Sequence, residues 1–156
     1  MIIEATARDF ALLAQGKTPE GLRMDAEIEL APPAVLEMLT ALAQTIAERF
    51  TPSAWMLVED LEVVGLMSLT RLSAQGEIHI GYGVAPARQG RGTATRAVAE
   101  LLTWARQDAR VSHILADTAL DNVASQRVLE RNGFVRIGGR VDAEDGPLIC
   151  WRATTA

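Results

Sequence analysis

The sequence predicts an α/β fold of the α+β kind: a mixed, mostly antiparallel sheet with one parallel crossover set into it. Three observations lead there. Short runs at 54–59, 63–71 and 77–84 are joined by brief turns, which is the pattern of an antiparallel meander. A strand at 77–84, a helix at 93–108 and a strand at 113–118 then follow, which reads as a right-handed parallel crossover. Two more strands, 134–140 and 147–152, flank a turn at 142–146. At 156 residues and 49% hydrophobic side chains, the chain has the length of one domain, 1–156, and can bury a sizeable core.

The elements follow in order. Residues 2–6 (IIEAT) read as a short strand. Residues 8–15 read as a short helix with Phe10, Leu13 and Ala14 on one side, stopped by Gly16. Residues 16–34 hold Gly16, Pro19, Gly21, Pro32 and Pro33 and predict a long loop with an extended piece at 25–30. A loop of that length inside a compact domain is more often functional than idle. Pro33 suits the first turn of a helix running to about Phe50, where Thr51-Pro52 ends it; Val35, Leu39, Leu42 and Ile46 make its stripe. Strand 54–59 turns at Asp60-Leu61-Glu62 into 63–71, and Gln75-Gly76 turns into 77–84. There Ile78, Ile80, Tyr82 and Val84 alternate with Glu77, His79, Gly81 and Gly83, a period of two. In the helix after it, Ala94, Ala97, Val98, Leu101, Leu102 and Ala105 form one apolar stripe. Asp121-Asn122 caps a helix through Asn132, with Gly133 as its left-handed end.

Composition excludes some classes. The net charge is −5, from 15 basic and 20 acidic residues, which argues against a nucleic-acid-binding face and is compatible with a cationic substrate. The one cysteine, Cys150, permits no internal disulfide, so a reducing compartment is expected. MIIEATARDF has no basic n-region or long apolar run, and no stretch is apolar enough to span a membrane; a cytoplasmic protein is the expectation. No metal is called for.

The stretch EIHIGYGV-APARQGRG-TATRAVAELLTWAR carries the chemistry. A strand feeding a glycine turn feeding a helix leaves the first helical N–H groups unpartnered and pointing outward, with the positive end of the dipole behind them. Glycine at positions 90 and 92 lets an anion approach the backbone, so the turn is a candidate phosphate or pyrophosphate site. A dinucleotide fingerprint fits less well. Its third glycine position is Thr95, and the 39 residues after Asp117 are too few for the βα units that fold needs. The Gly-Lys-Ser/Thr close of a Walker loop is absent.

Gln89-Gly90-Arg91-Gly92-Thr93-Ala94 resembles the Q/R-x-x-G-x-G/A signature of the GNAT N-acetyltransferase superfamily. Asn122-x-x-Ser125, followed by VLERNGF at 128–134 and the closing DGPLICWR, is similar to its branch of ribosomal-protein alanine N-acetyltransferases. The resemblance covers roughly residues 54–152. It implies a GNAT-like sheet split at the acetyl-CoA site with helices on both faces, and acetyl-CoA as co-substrate. It implies that Gln89, Gly90, Arg91, Gly92, Thr93, Ala94 and Thr95 hold the pyrophosphate, with Arg91 adding charge. A bulge on the central strand would part it from its parallel neighbour, Gly81 and Gly83 suiting that bulge. The pantetheine arm would then bond backbone near Val84, whose N–H would polarise the thioester, and Asn122 would reach the pantetheine amides while also capping its helix.

The implied reaction is direct attack of a primary amine on the thioester, with no acyl-enzyme. The amine must first lose a proton, since a Lys-type amine has a pKa of about 10.4 and an α-amine about 7.7–8.0. Glu77 and His79 share one strand face and both are candidates for base; relatives often carry a glutamate where His79 stands. Relatives often place a proton-donating tyrosine where this chain has Leu129, so Ser125 is the candidate donor to the departing thiolate, with Tyr82 a weaker one because its phase opposes Glu77. The acceptor is a small-molecule amine or a protein N-terminus, and a homodimer is left open. A competing reading is a catalytically silent acyl-CoA-binding regulatory module. Trp55, Trp104 and Trp151 read as packing, Cys150 as an inert core thiol, and the acidic turn Asp142, Glu144, Asp145 as a solvated hairpin with a minor reading as a steering patch for cations.

Overall fold

The computed structural model describes residues 1–156. Seven strands form one sheet: β1 (Ile2–Ala5), β2 (Ala54–Glu59), β3 (Glu62–Leu72), β4 (Glu77–Val84), β5 (His113–Ala119), β6 (Val135–Asp142) and β7 (Gly146–Thr154). Their order is β1-β2-β3-β4-β5-β7-β6. Every neighbouring pair is antiparallel except β4 and β5, which run parallel around the crossover helix α3 (Thr93–Arg106). The other helices are α1 (Ala7–Ala14), α2 (Pro33–Ala47) and α4 (Val123–Arg131). No helix is long and apolar enough to cross a membrane.

The period-two strands dictate two cores, one on each face of the sheet. On one face Val98, Leu101 and Leu102 of α3 and Leu129 of α4 pack on Trp55, Leu57, Met67, Leu69, Ile78, Ile80, Ile114 and Trp151. On the other, Phe10 and Leu13 of α1 and Leu36 and Ala43 of α2 pack on Ala54, Met56, Val58, Val63 and Leu66. The second core draws only on β1 to β3, so α1 and α2 leave the same face of β4, β5, β7 and β6 uncovered. That half-covered face is what a site can occupy.

Several boundaries differ from expectation. The extended piece at 25–30 is a turn and a bend; the loop's one bridge is Arg23 to Glu62, where Arg23 donates to the Leu61 carbonyl and accepts from the Val63 N–H. The α2 helix buries Leu36, Ala43 and Ile46, with Leu39 and Leu42 half-buried, while Val35 faces solvent, because the helix rests on α1 as well as the sheet. Ala14 is exposed at the α1 C-terminus. The α2 and α3 helices stop short of Phe50 and Asp108, because their last turns tighten to bonds three residues apart, such as Arg49 to Ile46 and Asp108 to Ala105. The irregularity beside the central strand lies on β3: the register steps from Leu69 opposite Ile80 to Arg71 opposite His79, leaving Thr70 as the extra residue. Thr70 stands beside Gly81, where a Cβ would meet the Thr70 Cγ2 at 3.4 Å, an ordinary contact.

Candidate active site

The site begins where the sheet comes apart. The β4 and β5 strands pair only from Glu77 with His113 to Ile80 with Ala116. Beyond that rung β5 continues to Ala119 on β7, and β4 continues to Val84 on β3. The Ala85 N–H donates to the Val64 carbonyl at 2.8 Å, so Ala85 and Val64 are a hydrogen-bonded pair. Antiparallel ladders alternate, so the N–H and C=O groups of Val84 and Tyr82 point away from β3, into the parted side. One of these groups is already engaged: the Gln89 side-chain amide donates to the Val84 carbonyl at 3.0 Å. The Val84 N–H stays directed at the gap.

Past Val84 the chain makes a single 3₁₀ turn at Pro86–Arg88 and enters α3 through two left-handed glycines, Gly90 at φ 79° and Gly92 at φ 77°. Residues with a Cβ resist those angles. Gly92 is the N-cap of α3 and no side chain caps the helix, so the N–H groups of Thr93, Ala94 and Thr95 have no side chain bonded over them. The turn is braced from beneath. Arg96 donates to the Arg91 carbonyl at 2.9 Å and to the Glu59 carboxylate at 2.8 Å. That Arg96 guanidinium holds the Glu59 carboxyl below the usual carboxylate range. A cavity of about 170 Å³ lies beside it, lined by Arg23, Arg88, Arg91, Arg96, Glu59 and Glu62 among others. Arg88 pairs with Glu62 at 2.8 Å and Asp25 at 3.3 Å, whereas the exposed Arg91 enters no ion pair.

The far wall of the gap is α4. Asn122 caps it, its Oδ1 accepting from the Ser125 N–H at 3.1 Å, which leaves its amide N–H groups for another acceptor. Gln126 ties the helix to the end of β5 through the Ala119 and Leu120 carbonyls, and Asn132 ties its other end to the Thr95 carbonyl of α3. Leu129 is 0% exposed, in the core. From the opposite wall, the Tyr82 hydroxyl lies 2.9 Å from the Ser125 Oγ. The phase that turns Tyr82 away from Glu77 is what carries it to α4, a contact 43 residues apart that no local pattern signals.

The uncovered face carries a second polar group. His79, Glu77, Asp117 and Cys150 share it by strand phase and register. The Arg71 Nη2 sits 3.3 Å from the His79 Nδ1. Burial, and after it Arg71, push the imidazole below its usual pKa, so His79 is neutral near neutral pH. Arg140 donates twice to Asp117, at 3.2 and 2.8 Å, and once to Asp142. Cys150 is half-buried opposite Asp117 rather than in the core, because odd and even positions of β7 face opposite ways and Trp151 takes the core side. Burial, then Asp117, push its thiol up, so it is a poor nucleophile.

Val84, Gln89, Gly90, Arg91, Gly92, Thr93, Ala94, Thr95, Asn122 and Ser125 thus border one gap and its mouth. Glu77 and His79 do not. Both sit in the zipped part of the sheet, on the other face from Tyr82. Glu77 is on its first rung, about 17 Å along the strand from Tyr82, and His79 is one residue before the last. Of the tryptophans, Trp55 and Trp151 are fully buried and Trp104 stands edge-on to Phe50 and Trp55. Asp142 closes its own turn by accepting from the Glu144 and Asp145 N–H groups.

Comparisons with known proteins agree on one lineage. A family described as the acetyltransferase (GNAT) domain matches residues 1–135. The putative ribosomal N-acetyltransferase YdaF of Bacillus subtilis is 32% identical over 94 residues, covering 60% of this chain and 50% of that protein. The uncharacterized N-acetyltransferase YjdG of the same organism is 32% identical over 85 residues, covering 53% and 51%. The chain therefore spans about half the length of these curated relatives. Among solved structures, a ribosomal-protein alanine acetyltransferase from Vibrio fischeri superposes with a TM-score of 0.69 at 18% identity, covering 99% of this chain and 92% of that one. The aminoglycoside acetyltransferase AAC(6')-Ib in complex with coenzyme A gives 0.67 at 19% identity, covering 99% and 94%.

Proposed function

The chain belongs to the GNAT acetyltransferase family, and from that membership we propose that it moves an acetyl group from acetyl-CoA to a primary amine by direct attack. One observation carries the reading: the gap between β4 and β5 is edged by inward-facing main-chain groups of Tyr82 and Val84 and ends on the uncapped N-terminus of α3. Such a gap accepts an extended amide arm as a sheet accepts a strand, and the helix end accepts its diphosphate. The residues present fit acetyl-CoA on both counts.

When bound, acetyl-CoA supplies the thioester carbonyl that the amine attacks. The N–H groups from Gly90 to Thr95, with the unpaired Arg91, would hold the diphosphate. Asn122 would donate its free amide hydrogens to the arm. The Val84 N–H would draw charge from the carbonyl oxygen, an oxyanion role. Attack forms the C–N bond and breaks the C–S bond, and the electron pair leaves on sulfur. Ser125 would meet that sulfur with its hydroxyl hydrogen. The amine's proton would leave on the uncovered face. There His79 stands nearer the gap than Glu77 and holds the neutral imidazole that a base requires, so it is the better candidate, with water between.

The names of the relatives give two amine classes to try, ribosomal-protein N-termini and aminoglycosides. Pure protein is incubated with acetyl-CoA and a panel of peptide α-amines, lysine side chains and aminoglycosides, and thiol release is followed. Release that requires one acceptor class supports the reading. Tight coenzyme A binding without turnover on any amine would make the chain a silent acyl-CoA-binding module instead.

A further inference from the structure

We infer that Tyr82 is a positioning residue for Ser125: its phenol holds the serine hydroxyl so that the one hydrogen on Ser125 is aimed into the gap. The inference rests on the acetyl-transfer reading of this site. The two hydroxyls are 2.9 Å apart, and Ser125 supplies the phenol's hydrogen-bond partners in the fold, its carbonyl lying 3.5 Å away. The bond crosses the gap itself, from the unpaired end of β4 to the first turn of α4. Each wall is fixed independently. The Tyr82 ring packs against the α3-side core, and the Ser125 backbone is held by the Asn122 cap. The fold therefore brings the phenol and the serine within reach of each other.

Either hydroxyl could donate at this distance, and the hydrogen of the bond is assigned to Tyr82 because of what the reaction needs from Ser125. A serine hydroxyl has one hydrogen and two lone pairs, as has a phenol. If Ser125 gave its hydrogen to Tyr82, nothing would be left for the departing sulfur. If Tyr82 donates, one Ser125 lone pair is filled and the serine hydrogen must point elsewhere. The elsewhere is the gap, because the backbone N–H of Ser125 and its own helix occupy the other side. Burial keeps Tyr82 a neutral phenol across the working pH range, so it retains a hydrogen to give. The phenol stays protonated throughout and moves no proton of its own. Leu129 closes the alternative, since an apolar side chain sealed in the core cannot supply a hydroxyl from α4.

The test is a double-mutant cycle on Tyr82→Phe and Ser125→Ala, with the best acceptor from the amine panel. Melting temperatures and acetyl-CoA affinity by calorimetry accompany the kinetics. Tyr82→Phe keeps the ring and its packing. It is expected to lower kcat about tenfold, the worth of one hydrogen bond realised in the transition state, with KM for acetyl-CoA within about twofold of wild type. Adding it to Ser125→Ala is expected to lower kcat no further, because the group it positions is gone. Unchanged kcat in Tyr82→Phe, a loss confined to KM, or losses that multiply in the double variant would each overturn the inference while leaving acetyl transfer standing. Wild-type protein that releases no thiol with any amine overturns the acetyl-transfer reading, and the inference with it.

Discussion

Two buried serines separate a hydroxyl that stabilises from one that does not. Ser53 donates to the Ala43 carbonyl at 2.9 Å, while Ser68 on β3 has no partner for its Oγ. Truncating Ser53 to alanine removes a second bond to a carbonyl that α2 (Pro33–Ala47) already pairs, and should cost about 0.5–1 kcal/mol in urea unfolding. Truncating Ser68 removes a desolvated hydroxyl with nothing to lose, and should leave stability unchanged or raise it by up to about 1 kcal/mol. At His79 the relevant quantity is pH. A base must be neutral, and this imidazole charges only below the usual histidine pKa of about 6.5, because burial and Arg71 resist the positive form. Wild-type kcat/KM, expressed per unprotonated amine, should therefore hold down to mildly acid pH and fall as pH drops through that lower value. His79→Gln should lose most of the rate and also that acid limb, measured with the same amine so that the acceptor's own ionisation is common to both. An acid limb that survives in the variant would move the base elsewhere.

At the scale of elements, the sequence was most legible where local physics is strong. The strands 54–59 and 77–84 match β2 and β4 residue for residue: 77–84 alternates with a period of two, and 54–59 is a short apolar run ended by a tight turn. Gly90, Gly92 and the bare start of α3 were readable for the same reason: strand, glycine turn and helix are all local signals. The loop from Gly16 to Pro32 was not readable, because its order comes from distant partners. Arg23 bonds to the β2–β3 turn, and Asp25 reaches Arg88, which also holds Glu62. The loop on one side of the site is thus tied to the turn that feeds α3. Arg88 and Glu62 are largely covered, at 21% and 13% exposed, and only Asp25 is near half exposed, so Arg88→Gln should lower global stability by about 1–2 kcal/mol, short of unfolding the domain. It should nonetheless speed limited proteolysis within residues 17–32, as a local opening does. Cleavage at the wild-type rate would mean that the loop is held by Arg23 alone.

At the scale of the molecule, the sheet divides the work. One face is sealed by α3 and α4, and the other is only half covered by α1 and α2, so the gap between β4 and β5 opens toward an uncovered surface carrying His79 and Asp117. The crossover was legible in outline from the strand–helix–strand order, and the split only as an implication of the family resemblance. Which side chains meet across the gap was not. Tyr82 and Ser125 come together only when β4 diverges from β5, and Cys150 leaves the core only because Trp151 takes the inward phase. The proposed chemistry depends first on main-chain groups of the β4–α3 corner binding coenzyme A. It is tested most directly by calorimetric titration of acetyl-CoA into wild-type protein and into Gly92→Val, whose φ of 77° a branched side chain resists and whose Cβ would stand 2.9 Å from Arg96 Nη1. Saturable one-to-one binding to the wild type is expected, with its loss in a variant that keeps its far-ultraviolet circular dichroism. No heat with the wild type, or equal affinity in the folded variant, would contradict it.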